Sequence, residues 1–136
     1  MADKKFQLDI VTPAKTVFTG EVQSFTAPGV IGNFQVLFNH APLLSAIGIG
    51  EIKVTDVVGK VSRFATTGGF VEVKSNKVIV LAESAESEEE INIERAEKSK
   101  QRANDRLTKK QSDTDVERAR VALNRAINRL KIASKK

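Results

Sequence analysis

Fourteen of the 22 lysines and arginines in this 136-residue chain lie beyond residue 90, and their spacing is the pattern that most suggests binding chemistry. Arg95 and Arg102 stand seven residues apart, as do Arg118 and Arg125, with Arg129 one helical turn further on. Residues 91–136 carry a net charge of +8, whereas residues 1–90 carry −3. A basic tail on a mildly acidic body calls for an anionic partner, which could be nucleic acid, a nucleotide or an acidic protein surface. Catalytic constellations are absent by contrast. His40 is the only histidine; it sits beside Pro42 in LFNHAPLL, the setting of a hydrogen-bonded structural residue. There is no cysteine, which excludes disulfides and thiolate metal sites. TTGGFVEV has paired glycines, but a strand pattern follows them, so no helix N-terminus is offered to a phosphate. The acidic run Glu86–Glu90 fans around an expected helix start, which suits capping better than metal binding.

The elements that must carry these residues follow from where the chain changes character. All 8 glycines, 3 prolines and 7 phenylalanines lie at or before Phe70. That part alternates with period two, as half-buried strands do: Phe6, Leu8 and Ile10, then Val22, Ser24 and Thr26 against Gln23, Phe25 and Ala27, then GEIKVTD, KVSRFAT, GFVEVK and NKVIVLAE, the last four separated by short turn-forming links. Short, regularly spaced strands without crossover helices predict a sandwich or small barrel. Beyond it the period becomes 3.6. A first helix is expected from about Glu88 to Lys109, opened by a capping box of Ser87 and Glu90. A second is expected from about Thr114 to Ile132, capped by Ser112 or Asp113, and the short link makes the pair an antiparallel hairpin. The fold class is therefore α+β with segregated parts: an N-terminal antiparallel β-sandwich over residues 1–86 and a C-terminal two-helix hairpin over residues 87–136.

Each helix has an alanine-rich seam. Ile93, Ala96, Ala103 and Leu107 line one, with Ile91, Arg95, Lys98 and Arg102 roughly opposite; Val116, Ala119, Leu123, Ala126 and Leu130 line the other. Few of these are large, and each large one gains about 1.5–3 kcal/mol on full burial. Ordering the backbone costs about 1–2 kcal/mol per residue, only partly offset by helical hydrogen bonds. A hairpin of marginal stability, able to dock, detach or extend, is expected.

Three stretches, LDIVTPAKTVFTGEV, VLFNHAPLLSAIGIGEIKV and TTGGFVEVKSNKVIVLAE, resemble the epsilon subunit family of bacterial F-type ATP synthases, in the order sandwich then hairpin. The resemblance implies a non-catalytic rotor subunit of the central stalk, without an active site of its own. Its expected partners are the gamma subunit and the c-ring, and, when the hairpin extends and inhibits ATP hydrolysis, the alpha and beta subunits. No membrane span is expected, and the implied location is peripheral, on the cytoplasmic side of the bacterial plasma membrane. No cofactor is required by this reading; ATP enters it only as an optional regulatory ligand. Some family members bind ATP through an Ile/Leu-Asp-x-x-Arg-Ala motif, and this chain has INIERA, with Ile91, Asn92, Arg95 and Ala96 in those places. Arg102, Arg125 and Arg129 also match family positions. On that resemblance Ile91 would meet the base, and the arginines would offer forked donors to a triphosphate. Asn92 stands where the family's usual Asp would be, without its negative charge. The competing class is a nucleic-acid-binding module. Against it, no aromatic interleaves the arginines, and Glu94, Glu97, Asp105 and Glu117 interrupt the charge.

Overall fold

The computed structural model describes residues 4–109 and 115–134. They form two compact units, Met1–Ser87 and Glu88–Lys136. The first unit holds β1 (Phe6–Val11), β2 (Thr16–Ala27), β3 (Phe34–Val36), β4 (Leu43–Ile47), β5 (Gly50–Asp56), β6 (Val61–Thr66), β7 (Gly69–Lys74), β8 (Lys77–Ala82) and β9 (Ala85–Ser87). The strand order is β4-β7-β8-β1-β2-β5-β6-β9, with β3 on the other part of β2. β2 carries the sheet from one layer to the other: Thr16–Val22 pairs with β1, and the stretch from Val22 to Thr26 pairs with β5 after an irregularity at Val22/Ser24. All pairs are antiparallel except β1 and β8, which run parallel because the whole second layer intervenes between them in sequence.

Alternation along the strands supplies the core. Phe6, Leu8 and Ile10 of β1, Val71 and Val73 of β7 and Val78 and Val80 of β8 face Phe25, Ile52, Val54 and Phe64 from the second layer, all in one cluster. On the outer face, Asp9 accepts hydrogen bonds from Thr19 Oγ1 (2.6 Å) and Gln7 Nε2 (3.0 Å), with Lys77 Nζ at 3.8 Å. These partners, Thr19 foremost, hold the Asp9 carboxyl below its ordinary value of 3.8. Asp9 therefore supports the fold above that pH, and the support is lost as pH falls through its lower folded value.

Two turn features fix the sheet's ends. Ser75 and Asn76 both have positive φ, 51° and 59°, the type I′ geometry of a two-residue hairpin between Lys74 and Lys77. The Asn76 side chain accepts from the Asn39 N–H (2.8 Å) and donates to the Lys5 carbonyl (2.9 Å), tying three segments together. His40 donates from Nδ1 to the Ala41 carbonyl at 2.6 Å, the structural role its setting suggested. At the other end Gly69 has φ of 145°, and a Cβ there would overlap the Leu81 carbonyl oxygen and lie 2.8 Å from the Ala82 Cα. Thr66, fully buried, is satisfied by donating to the Ser84 carbonyl and accepting from the Gly68 N–H.

The second unit contains α1 (Ile93–Lys109) and α2 (Val116–Ala133), which pack on each other. α1 does not begin at Glu88. Ser87 is spent in β9, Glu88–Glu90 form a turn, and the cap is Asn92, whose Oδ1 accepts from the Arg95 N–H at 3.0 Å. Ser87 pairs with Phe64 in the ladder, and that pairing outcompetes the capping box. Ser112, Asp113 and Thr114 lie outside the described residues. α2 is capped by Asp115, which accepts from the Arg118 N–H at 3.0 Å. Exposed pairs such as Glu94–Lys98 at 3.3 Å add little.

Two outcomes follow for thermal melts of the full chain. Gly69→Ala lowers the stability of the strand unit by about 2 kcal/mol or more, because both the φ value and the Leu81 carbonyl oppose a Cβ; a melt matching the parent's contradicts the assigned backbone. Asn92→Ala removes about 1 kcal/mol from the hairpin, whereas Asn92→Asp preserves or raises its stability through the helix dipole. Equal helicity losses for the two variants argue against Asn92 as the cap.

Candidate functional site

The buried residues of the two helices are nearly all alanine and recur every seven positions: Ala96 and Ala103 in α1, and Ala119, Ala126 and Ala133 in α2. Arginine immediately precedes four of them, as Arg95, Arg102, Arg118 and Arg125. One residue is about 100° of helix, so each arginine stands on the same side of its own seam. Two antiparallel helices meeting through matched seams are related by a two-fold axis normal to their common plane. That axis keeps the same side of each helix on the same face of the pair. The four arginines therefore form one basic face, and Arg129, about 40° around from Arg125, belongs to it. Arg95 and Arg129 lie at the end where α1 starts and α2 finishes; Arg102 and Arg125 lie further toward the link, and Arg118 beyond them.

Arg95, Arg102 and Arg125 are exposed and Arg129 is half-buried. Among the described residues the side chains of Arg95 and Arg125 make no hydrogen bond or ion pair, while Arg102 Nη2 donates to Ser99 Oγ at 3.2 Å. On this face Arg95 and Arg125 direct their guanidinium forks at solvent, chemistry suited to phosphate or carboxylate groups. Asn92 Oδ1 is occupied by the Arg95 amide, so the side chain in the motif's acidic position closes the helix end and leaves its amide nitrogen for other contacts. Ile91 is buried, 5% exposed, and Ile93 is 49% exposed, the reverse of the expected seam. The helix begins only at Ile93, so Ile91 does not follow the helical phase. It occupies the position before the cap whose side chain meets the fourth helical residue, here Ala96, in a hydrophobic staple.

A second surface lies on the strand unit. Phe70 pairs with Leu81, Leu81 with Val11 and Phe70 with Ala46, and the Val30 N–H donates to the Ala46 carbonyl. Neighbouring strands are about 4.8 Å apart, so this row of apolar residues crosses roughly 19 Å of sheet. Phe70 and Leu81 are 57% and 58% exposed. They border a groove of ≈ 400 Å³ completed by Pro13, Gly69 and Glu83. An exposed apolar row of this extent is a candidate contact surface. Its signal was present in the sequence: Phe70 and Leu81 fall on the outward phase of strands whose inward phase is already valine and alanine. The arginine face also had a legible sign, the Arg-Ala dipeptide repeated at seven-residue intervals.

Among the described residues no group of three or more His, Asp or Glu side chains could hold a metal ion, and no helix is long and apolar enough to cross a membrane. Residues 5–88 match the beta-sandwich domain of the ATP synthase delta/epsilon chain, and residues 89–134 match its long alpha-helix domain. The chain is 47% identical to the ATP synthase epsilon chain of Desulforamulus reducens over 130 residues, covering 96% of this chain and 98% of that one. It is 45% identical to the epsilon chain of Nitratidesulfovibrio vulgaris, covering 96% of each. In fold it is similar to a chain in the cryo-EM structure of the Euglena gracilis mitochondrial ATP synthase (OSCP/F1/c-ring), with a TM-score of 0.84 at 19% identity, covering 98% of this chain and 82% of that one. Nothing in these likenesses supports the nucleic-acid-binding module. A chain with an exposed apolar row on its strand unit, followed by an alanine-seamed pair of helices and matched over nearly its whole length, belongs to the epsilon chain family of ATP synthase.

Proposed function

We propose that the chain works as a rotor subunit of the central stalk, coupling ion-driven c-ring rotation to ATP synthesis without an active site of its own. The strand unit is the docking part. Its apolar row of Val30, Ala46, Phe70, Leu81 and Val11 seats the gamma subunit, and the same unit rests on the c-ring at the cytoplasmic side of the bacterial plasma membrane. The helical unit is the regulatory part. Extended along gamma into the alpha and beta subunits, it inhibits ATP hydrolysis; closed, it presents the arginine face to ATP. In that state Arg95, Arg102, Arg125 and Arg129 bind the triphosphate, Ile91 lies toward the base, and Asn92 Nδ2 is the group left to contact it.

The observation that carries this reading is the alanine seam. Alanine lets two helices approach closely but removes little apolar area from water, so the helices are joined weakly by comparison with the strand core. A weakly joined pair can exchange its internal contacts for contacts with a partner at small net cost. The arginine face gives such an exchange a ligand: a triphosphate that binds several guanidinium groups of the closed pair, and not of the separated helices, shifts the population toward closure.

Two experiments test the two halves of the proposal. In the reconstituted parent complex, deletion of residues 88–136 leaves the strand unit bound to gamma and raises ATP hydrolysis, while Phe70→Asp with Leu81→Asp abolishes gamma binding. An unchanged hydrolysis rate after the deletion removes the inhibitory role, and normal gamma binding by the double variant removes the docking row. For the isolated chain, millimolar ATP raises the melting temperature of the hairpin, and Arg125→Ala with Arg129→Ala eliminates that rise. Absence of a rise in the parent chain rules out the nucleotide site.

A further inference from the structure

The carboxylates that face outward from the layer carrying the apolar row are not equally provided for. Asp9 has Lys77 Nζ at 3.8 Å beside its two hydrogen bonds, and Glu21 has Lys5 Nζ at 3.4 Å. Glu72 and Glu83 are exposed, and among the described residues neither side chain has a hydrogen bond or an ion pair. These two are also the ones beside the row. Glu72 follows Phe70 by two positions on β7, and Glu83 follows Leu81 by two positions, its N–H donating to the Gly68 carbonyl at 2.9 Å. Because Phe70 and Leu81 are paired on antiparallel strands, the two carboxylates fall on opposite sides of the row. Each stands about 6.6 Å from it along its strand.

Their surroundings are apolar. Glu72 has Leu44 on one neighbouring strand and Ile79 on the other. Glu83 is the one charged residue among those lining the groove with Phe70, Leu81 and Pro13. A surface that covers the row also takes water from both carboxylates, and a desolvated charge without a counter-charge is strongly unfavourable. From this we infer that the surface seated on the row carries an apolar strip bordered on both sides by lysine or arginine, one cation for Glu72 and one for Glu83. The two carboxylates thereby select the partner and its orientation, because an apolar surface that is neutral or acidic at those places leaves them buried and unpaired. That the partner is the gamma subunit rests on the function proposed above.

The test uses the full chain and the parent complex stripped of it, with the dissociation constant read at about 50 mM and about 500 mM salt. At the lower salt Glu72→Lys with Glu83→Lys weakens binding at least about tenfold, Glu72→Gln with Glu83→Gln weakens it by about threefold, and both gaps narrow at the higher salt. Glu21→Lys, an outward acid on β2 away from the row, changes binding less than about twofold. An unchanged melting temperature of the strand unit is the control for folding. Parent-like binding by the double lysine variant, an equal loss with Glu21→Lys, or a loss indifferent to salt each overturns the acidic borders. The row itself is judged separately: if Phe70→Asp with Leu81→Asp abolishes binding while the double lysine variant binds normally, the row stands and its acidic borders do not. If the aspartate variant also binds normally, both fall.

Discussion

The closest approach between two helices is set by the side chains in their seam, and here that seam is alanine at seven-residue intervals. Everything distinctive in the second unit follows from it. A seven-residue repeat keeps one side of each helix in contact with the other, so the residue before each alanine is carried to a constant position beside the seam. Because that residue is arginine four times, joining the helices also assembles a basic face. The same choice of alanine limits the area removed from water, so the contact that builds the face is also the one most easily given up.

The strand unit is built on the opposite balance. Its core uses phenylalanine, leucine, isoleucine and valine from both layers, and its turns are fixed by residues with little alternative. Gly69 has room for no Cβ, and Asn76 holds the N-terminal strand and the loop at Asn39 through one side chain. Such a body can leave Phe70 and Leu81 exposed on its outer face without losing its shape, because neither is needed by the core. The chain thus combines a strand unit with a large apolar core and a helical unit joined through small side chains.

The caps illustrate how local rules compete. Ser87 and Glu90 have the spacing of a capping box, yet Ser87 is drawn into a ladder with Phe64, and the helix starts six residues after it, behind Asn92. Asn caps about as well as Asp, so the exchange of one for the other costs the helix little while removing a charge beside Arg95.

Much of the architecture was legible in the residue order. The division into strands and helices followed from the confinement of glycine, proline and phenylalanine to the first part, and the six alternating stretches all became strands. β3, β4 and β9 were not legible, since they are short and their pairing is decided by distant partners such as Phe25, Val71 and Phe64. The arginines and alanines of the helices were readable as rows, but Ile91 and Ile93 exchanged roles because the first helical residue sets the phase for everything after it. Periodicity is a local property, so the sequence by itself determined which stretches alternate, which coil, and where positive charge accumulates. Only the tertiary structure decided that β1 lies parallel to β8, that five residues from separate strands and a loop form one apolar row, and that the arginines of two helices share a face. Each of these depends on which segments become neighbours, and that choice is made by packing across the whole unit, where no local pattern reaches.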